Sequence, residues 1–115
     1  MADVLVAVAS NDGFYVNEHF GRAEKFYIFE LKDQELVWLE TRDVPPVCLG
    51  GIHDRQKLYE KAKLISDCGH LIVSRIGQTA ADTVESLGIE VYELPGEIDE
   101  AADKLQKFIK LKELF

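Results

Sequence analysis

Two side chains that could bind a soft metal lie close together in a glycine-rich stretch of the sequence. Cys48 and His53 are five positions apart and flank the pair Gly50-Gly51. Thiolate and imidazole groups suit iron–sulfur clusters, zinc and copper. A closed structural zinc site usually takes four such ligands, so this pair favours it less. We interpret Cys48 and His53 as candidate metal ligands; a plain loop cysteine and a helix-initiating polar residue are the alternative.

A further candidate ligand, His19, lies in an irregular segment that contains Gly21 and Arg22. Histidine can ligate a metal, and arginine can neutralise an anion. The same segment opens with the turn-forming residues Ser10 and Asn11. We count these two with His19 and Arg22 as candidate cofactor contacts. The alternative is an exposed histidine without a role.

The run Ser74-Arg75-Ile76-Gly77 precedes a predicted helix. Free backbone N–H groups at a helix N-terminus favour an anion, and Arg75 adds positive charge. Gly77 would let a ligand approach the backbone. The sequence contains no complete phosphate-binding loop motif, so phosphate in particular is only weakly indicated. A tight turn whose arginine pairs with a neighbouring carboxylate is the alternative.

Five strands and three helices are predicted to position these residues, in the order β-β-β-α-β-α-β-α. The predicted strands, which are rich in aliphatic and aromatic residues, cover 4–9, 25–32, 35–42, 71–73 and 89–94. Residues 25–42 form a hairpin whose second arm is expected at the sheet edge. Helical spacing predicts helices that start near Asp54, follow Gly77 and run on from Ile98, the first two ending at Gly69 and Gly88.

This order predicts an α/β, ribonuclease-H-like three-layer fold with a mixed five-stranded sheet. The right-handed crossover rule makes the later strands parallel to the first. Flavodoxin-like and other three-layer folds are the near alternatives. Sites in such sheets form at the carboxyl ends of parallel strands. We therefore expect the loops 10–22 and 74–79 to meet there, together with 43–53 if that loop folds over the same edge.

The composition narrows the possible functions. A formal net charge of −8 and a pI of about 4.8 argue against nucleic acid and anionic membranes as partners. The 115 residues are expected to form a single domain, 1–115. Two cysteines and the lack of an apolar targeting segment predict a reducing, cytoplasmic location. No hydrolytic triad signature or set of carboxylates for nuclease chemistry is visible, so an enzyme is not expected.

Taken together, several segments resemble the dinitrogenase iron–molybdenum cofactor biosynthesis family, which includes NifX, the core of NafY and the C-terminal domain of NifB. The resemblance covers nearly the whole chain, and its ordered combination is specific. The matching segments are Val6–Ser10, Glu18–Ala23, Pro45-Pro46 with Cys48 and His53, Asp67-Cys68, Val73–Gly77 and Gly88–Tyr92.

The resemblance implies a ribonuclease-H-like fold and non-covalent, transient carriage of an iron–sulfur or iron–molybdenum–sulfur cluster during nitrogenase cofactor biosynthesis. By this resemblance His19 is the cluster-contacting histidine, and Cys48 and His53 correspond to the family's loop cysteine and histidine. Cofactor-assembly proteins are the expected partners. Two other hypotheses stay open: a small phosphate- or nucleotide-binding enzyme or regulator that uses Gly77, and a plain interaction module.

Overall fold

The computed structural model describes residues 4–32, 35–45 and 54–113. Within these ranges the chain forms seven strands and three helices. In chain order they are β1 (Val4–Ala9), β2 (Tyr15–Val16), β3 (Lys25–Lys32), β4 (Glu35–Asp43), α1 (Asp54–Lys63), β5 (His70–Val73), α2 (Gln78–Ser86), β6 (Glu90–Glu93), β7 (Gly96–Glu97) and α3 (Ile98–Glu113).

Five of the strands form one mixed sheet in the order β4-β3-β1-β5-β6. The central strand β1 pairs antiparallel with β3, where Val6 lies opposite Phe29. On its other side β1 pairs in parallel with β5, where Ala7 lies opposite Leu71, and β6 continues the parallel half. The predicted fold class is therefore confirmed, including the hairpin whose second arm, β4, lies at the sheet edge.

The nearly continuous apolar run of β1 has a direct structural reason. Its side chains alternate between two buried layers, as the period of a strand requires. Ala7 and Ala9 pack in the core cluster that includes Leu58 of α1 and Val84 of α2. Val6 and Val8 pack in the cluster that includes Ile98 and Leu105 of α3. The sheet is thus covered by α1 and α2 on one face and by α3 on the other.

The small second sheet was not predicted. β2 pairs antiparallel with β7 through two residue pairs, Tyr15 with Glu97 and Val16 with Gly96. Two-residue strands cannot display a period of two, so hydrophobic alternation gives no signal for them. Ile98 is the first residue of α3, and its backbone N–H donates to the Phe14 carbonyl at 2.9 Å. This bond connects the loop between β1 and β2 to the start of α3.

The predicted helix ends were right for α2 and wrong for α1. Leu87 and Gly88 close α2 through N–H bonds to the carbonyls of Val84 and Glu85. Gly88 has a φ of 85°, which a residue with a side chain rarely adopts. The helix α1 ends at Lys63, because the chain then continues in tight turns before Gly69. Within the described ranges, no helix is both long and apolar enough to cross a bilayer.

Candidate functional site

Two loops meet at the carboxyl edge of β1 and β5, as the sequence predicts. The backbone N–H of Phe20 donates to the Arg75 carbonyl at 3.1 Å, and the N–H of Ser74 donates to the Glu18 carbonyl at 3.1 Å. His19 and Arg75 are thereby paired in an isolated parallel bridge. These two hydrogen bonds continue the parallel pairing by one step beyond the ends of the strands. The segment that carries His19 and the segment that carries Arg75 are therefore held side by side.

The paired loops form one side of a cleft of about 280 Å³. Its lining residues combine an apolar wall with polar and charged groups. They are His19, Phe20, Gly21, Leu58, Arg75, Ile76, Gly77, Thr79 and Ala80. Phe20 and Leu58 are buried, whereas His19 and Arg75 are exposed to solvent. The cleft therefore offers an imidazole and a guanidinium above an apolar wall.

The N-terminus of α2 opens into this cleft. Gly77 is the N-cap, with an extended backbone (φ −73°, ψ 158°) and no side chain to bond the first helical N–H groups. A Cβ atom placed on Gly77 would meet no described atom within 4 Å, so the space beside it is open. The first turn carries no acidic residue. Unpaired N–H groups and the helix dipole favour an anion at this position.

Arg75 does not fit the interpretation of a structural ion-pair partner. Among the described residues, no carboxylate lies within ion-pair distance of its guanidinium; the recorded pairs belong to Arg42 and His70. The nearby carboxylate of Glu93 instead accepts the backbone N–H of Ile76 at 2.9 Å. Arg75 is therefore available to an external anion.

Ser10, Asn11 and Arg22 lie in an adjoining hollow, outside the lining of this cleft. That hollow is also lined by Glu18, Glu24 and Lys25. The Ser10 hydroxyl is fully buried and accepts the Gly13 N–H at 2.9 Å, while the Asn17 side-chain amide donates to Asn11 at 2.9 Å. Ser10 and Asn11 thus fasten the start of the loop, and their contact with a cofactor stays a prediction, as does that of Arg22.

The turn that follows Ser10 contains an aspartate, Asp12, whose charged form is stabilised by hydrogen bonds. Asp12 accepts the backbone N–H groups of Phe14 at 2.8 Å and Tyr15 at 3.0 Å. These bonds favour the carboxylate, so the pKa of Asp12 lies below its ordinary value. Gly13 follows with a φ of 82°, and a Cβ there would meet the Tyr27 ring at 2.8 Å. Glycine is required at this turn for both reasons.

A buried lysine, Lys61, lies behind the His19 loop, and sequence reasoning missed it. Its side chain is 1% exposed, and Nζ donates to the carbonyls of Gly21 at 3.1 Å and Ala23 at 2.6 Å. Burial lowers the pKa of Lys61 to about 8, with Glu18 and Glu24 acting in the opposite direction. A signal was available, because Lys61 lies three residues after Leu58, on the apolar stripe of α1.

The predicted ligands Cys48 and His53 lie outside the described residues. Among the described histidine, cysteine, aspartate and glutamate residues, no group of three could hold a metal ion. Helix α1 begins at Asp54, and its Leu58 lines the cleft. Asp54 is therefore about one helical turn, ~6 Å, from a cleft residue.

The other cysteine is not suited to metal binding. Cys68 is 3% exposed, and burial raises the pKa of its thiol to about 12. A neutral buried thiol is a poor ligand. It lies in the turn that leads into β5, at the end opposite the cleft, and the neighbouring His70 begins that strand. Cys68 belongs to the core cluster on the α1 and α2 face of the sheet, so its role is structural.

The fold and the cleft define a class: a three-layer α/β domain with a mixed sheet and an anion-attracting cleft beside a histidine. Residues 2–108 match the family described as dinitrogenase iron-molybdenum cofactor. The chain belongs to this family. Membership confirms the predicted resemblance.

Curated relatives agree with the family. A FeMo cofactor biosynthesis protein NifB from Frankia alni is 36% identical over 105 residues, covering 89% of this chain and 21% of the relative. The NifB of Herbaspirillum seropedicae is 34% identical over 87 residues, covering 76% of this chain and 17% of the relative. The chain thus spans about a fifth of the length of these relatives.

Solved structures support the fold. The Thermotoga protein TM1290, described as a candidate NifB protein, is 27% identical with a TM-score of 0.55, covering 93% of this chain and 89% of that one. The crystal structure of PH0822 has a TM-score of 0.68 at 22% identity, with 89% and 88% of the two chains covered. At that identity the second likeness concerns the fold alone.

Proposed function

We propose that residues 1–115 act as one NifX-like, non-catalytic domain that carries an iron–sulfur or iron–molybdenum–sulfur cluster, or its precursor, during nitrogenase cofactor biosynthesis. The observation that carries this proposal is the lateral pairing of His19 with Arg75 beside the open N-terminus of α2. An imidazole ligand and two sources of positive character are thereby offered to the same small volume.

The chemistry of this arrangement matches an anionic metal–sulfur cargo. Neutral imidazole can bind iron or molybdenum at an open coordination position. Arg75 and the N–H groups after Gly77 would offset the negative charge of the cluster. Phe20 and Leu58 supply an apolar wall that excludes water from one side. Cys48 and His53 are proposed as assisting ligands, because their segment leads directly into α1.

The small number of ligands fits a carrier. A cargo that is held by one imidazole and by electrostatic contacts can be released when a partner offers more ligands. Cofactor-assembly proteins are the proposed partners for delivery and release. Tight ligation by many thiolates would instead favour a resident cofactor.

Phosphate or nucleotide binding at Gly77 is the second candidate function. The open N-cap of α2 beside an unpaired arginine favours it, since such positions bind phosphate groups in many proteins. It would leave His19 without a role. A competition experiment distinguishes the two functions. Inorganic phosphate or ATP at millimolar concentration should displace a ligand that is bound through its phosphate groups at Gly77. A cluster that is ligated by His19 should stay bound.

Anaerobic titration with isolated iron–molybdenum cofactor, and separately with a synthetic [4Fe–4S] cluster, tests the proposal by absorbance. We expect His19→Ala to weaken binding roughly tenfold or more while circular dichroism stays unchanged. His70→Ala is the matched control, because His70 lies at the opposite end of β5, and it should bind like the wild type.

Two results would contradict the proposal. If the wild type binds neither cluster, the carrier function is wrong. If His19→Ala binds like the wild type and Cys48→Ser does not, the site is centred on a thiolate and His19 is not the principal ligand.

A further inference from the structure

The buried ammonium of Lys61 is the least expected group in the described chain. Burying a charge is costly unless hydrogen bonds and nearby charges compensate it. An apolar side chain would fill this position of α1 at no such cost, since Leu58 and Ala62 beside it are buried in the core. The cost is compensated by the two carbonyls of the His19 loop, so the role of Lys61 should be sought in that loop.

The contacts of Lys61 fix the conformation of this loop from behind. Its Nζ donates to the carbonyls of Gly21 and Ala23, on either side of Arg22. The same loop is closed by the His19 carbonyl, which accepts the N–H groups of Arg22 at 3.2 Å and Ala23 at 2.9 Å. One turn of backbone is thus held between the His19 carbonyl and the Lys61 ammonium, and the orientation of His19 depends on both.

The ammonium also lies next to the wall of the cleft. Its Nζ is 5.7 Å from the centroid of the Phe20 ring and 5.9 Å from that of Phe26. Aromatic faces at this distance attract a cation. Phe20 lines the cleft, so the positive charge lies directly behind the surface on which an anionic cargo would rest.

We propose that Lys61 is the positioning residue of the cluster site: its buried ammonium holds the turn 19–23 in the binding conformation and places a positive charge behind the cleft. This inference rests on the proposed carrier function. Lys61 touches no cargo itself and acts through the backbone of Gly21 and Ala23 and through the Phe20 ring.

The charged groups that face the ammonium are the carboxylates of Glu18 and Glu24, which lie directly before and directly after the turn 19–23. Because burial lowers the pKa of Lys61 to about 8, the ammonium form predominates below that pH and is lost as the pH rises above it. Global stability should not fall over the same interval. The unfolded chain binds more protons between the folded and unfolded pKa values, so deprotonation favours the folded state.

The test compares Lys61→Met with Lys63→Met, an exposed lysine of the same helix. In the cluster-free wild type, the amide signals of Arg22 and Glu24 should titrate in NMR spectra with a midpoint near pH 8, because they share peptide groups with the two carbonyls. This step should persist in Lys63→Met and vanish in Lys61→Met. Affinity for isolated iron–molybdenum cofactor should fall roughly tenfold in Lys61→Met and stay unchanged in Lys63→Met.

The wild type should also lose cofactor affinity between pH 7.5 and 9, whereas Lys61→Met should show no such loss. Equal affinity of Lys61→Met and wild type, or the absence of an NMR step near pH 8, would overturn the proposal. If Lys61→Met does not fold, the wild-type NMR titration decides. A wild type that binds no cluster contradicts the carrier function instead, and the cluster-free titration then still decides whether Lys61 holds the loop.

Discussion

At the scale of single residues, Arg75 combines exposure with the absence of a described ion-pair partner. We expect Arg75→Ala to lower the affinity for the cluster by roughly 1.5–3 kcal/mol, the typical value of a charge-assisted hydrogen bond. The free energy of unfolding should change little. Calorimetric titration and thermal melting measure the two quantities, with Lys104→Ala on α3 as the control, because α3 covers the opposite face of the sheet.

Arg75→Lys refines this test. A lysine keeps the charge but loses the planar donor set, so it should recover part of the affinity if charge dominates. An Arg75→Ala variant that loses stability and keeps its affinity would show that the guanidinium has a structural partner after all.

The sequence predicts the position of a residue well where the topology of the sheet alone determines that position. His19, Arg75 and Gly77 could be placed together, because each follows a strand whose carboxyl end reaches the same edge. Lys61 could not be recognised as buried from its type, because most lysines are solvated. Its position three residues after Leu58 was the only signal. Arg22 was grouped with His19 because it is near in sequence, yet it lines the adjoining hollow.

At the scale of elements, the edge strand β4 is tied to the turn between α1 and β5. The guanidinium of Arg42 donates to both carboxylate oxygens of Asp67 at 2.8 Å and to the Leu64 carbonyl at 2.8 Å. The bonds that Arg42 donates to Asp67 hold the pKa of this carboxyl below its ordinary value of 3.8. A lowered carboxyl pKa stabilises the fold above the unfolded value, and this stability is lost as the pH falls through the folded value.

We therefore expect Arg42→Met to destabilise the fold by about 1 kcal/mol at neutral pH, a modest value because Asp67 is half exposed. The difference between wild type and variant should shrink below about pH 4. Urea unfolding at pH 7 and pH 3 measures it, and Arg55→Met on α1 serves as the control. A difference that persists at pH 3 would assign the effect to the bond with Leu64 or to packing instead of the carboxylate.

The sequence predicts strands and helices correctly where a hydrophobic pattern extends over many residues. β1 reads as a run buried on both faces, and α2 and α3 carry clear helical spacing. The pairing of β2 with β7 rests on two residue pairs, and the early end of α1 rests on turns at Leu64–Ser66, so neither leaves a periodic signal. Local hydrogen bonds decide such details, and hydrophobic alternation does not report them.

At the scale of the whole molecule, the site contrasts with its surroundings. The chain carries a formal net charge of −8. A surface of this charge repels anions in general. Arg75, the N-terminus of α2 and the ammonium of Lys61 provide local positive character at one edge of the sheet. An anionic cargo would thus be directed to the cleft and not to the rest of the surface.

The metal-free protein is expected to fold on its own. Two core clusters on opposite faces of the sheet contain the buried apolar side chains of the strands and helices, and neither cluster includes His19. Because His19 lies at the edge of the sheet, and Cys48 and His53 precede α1 in the sequence, folding should not require a metal. Chelator treatment should leave circular dichroism, the melting temperature and the cooperativity of unfolding nearly unchanged, and cluster loading should then raise the melting temperature by mass action. A chain that unfolds on chelation would instead contain a structural metal, and the carrier proposal would lose its basis, because a carrier must stay folded after it has released its cargo.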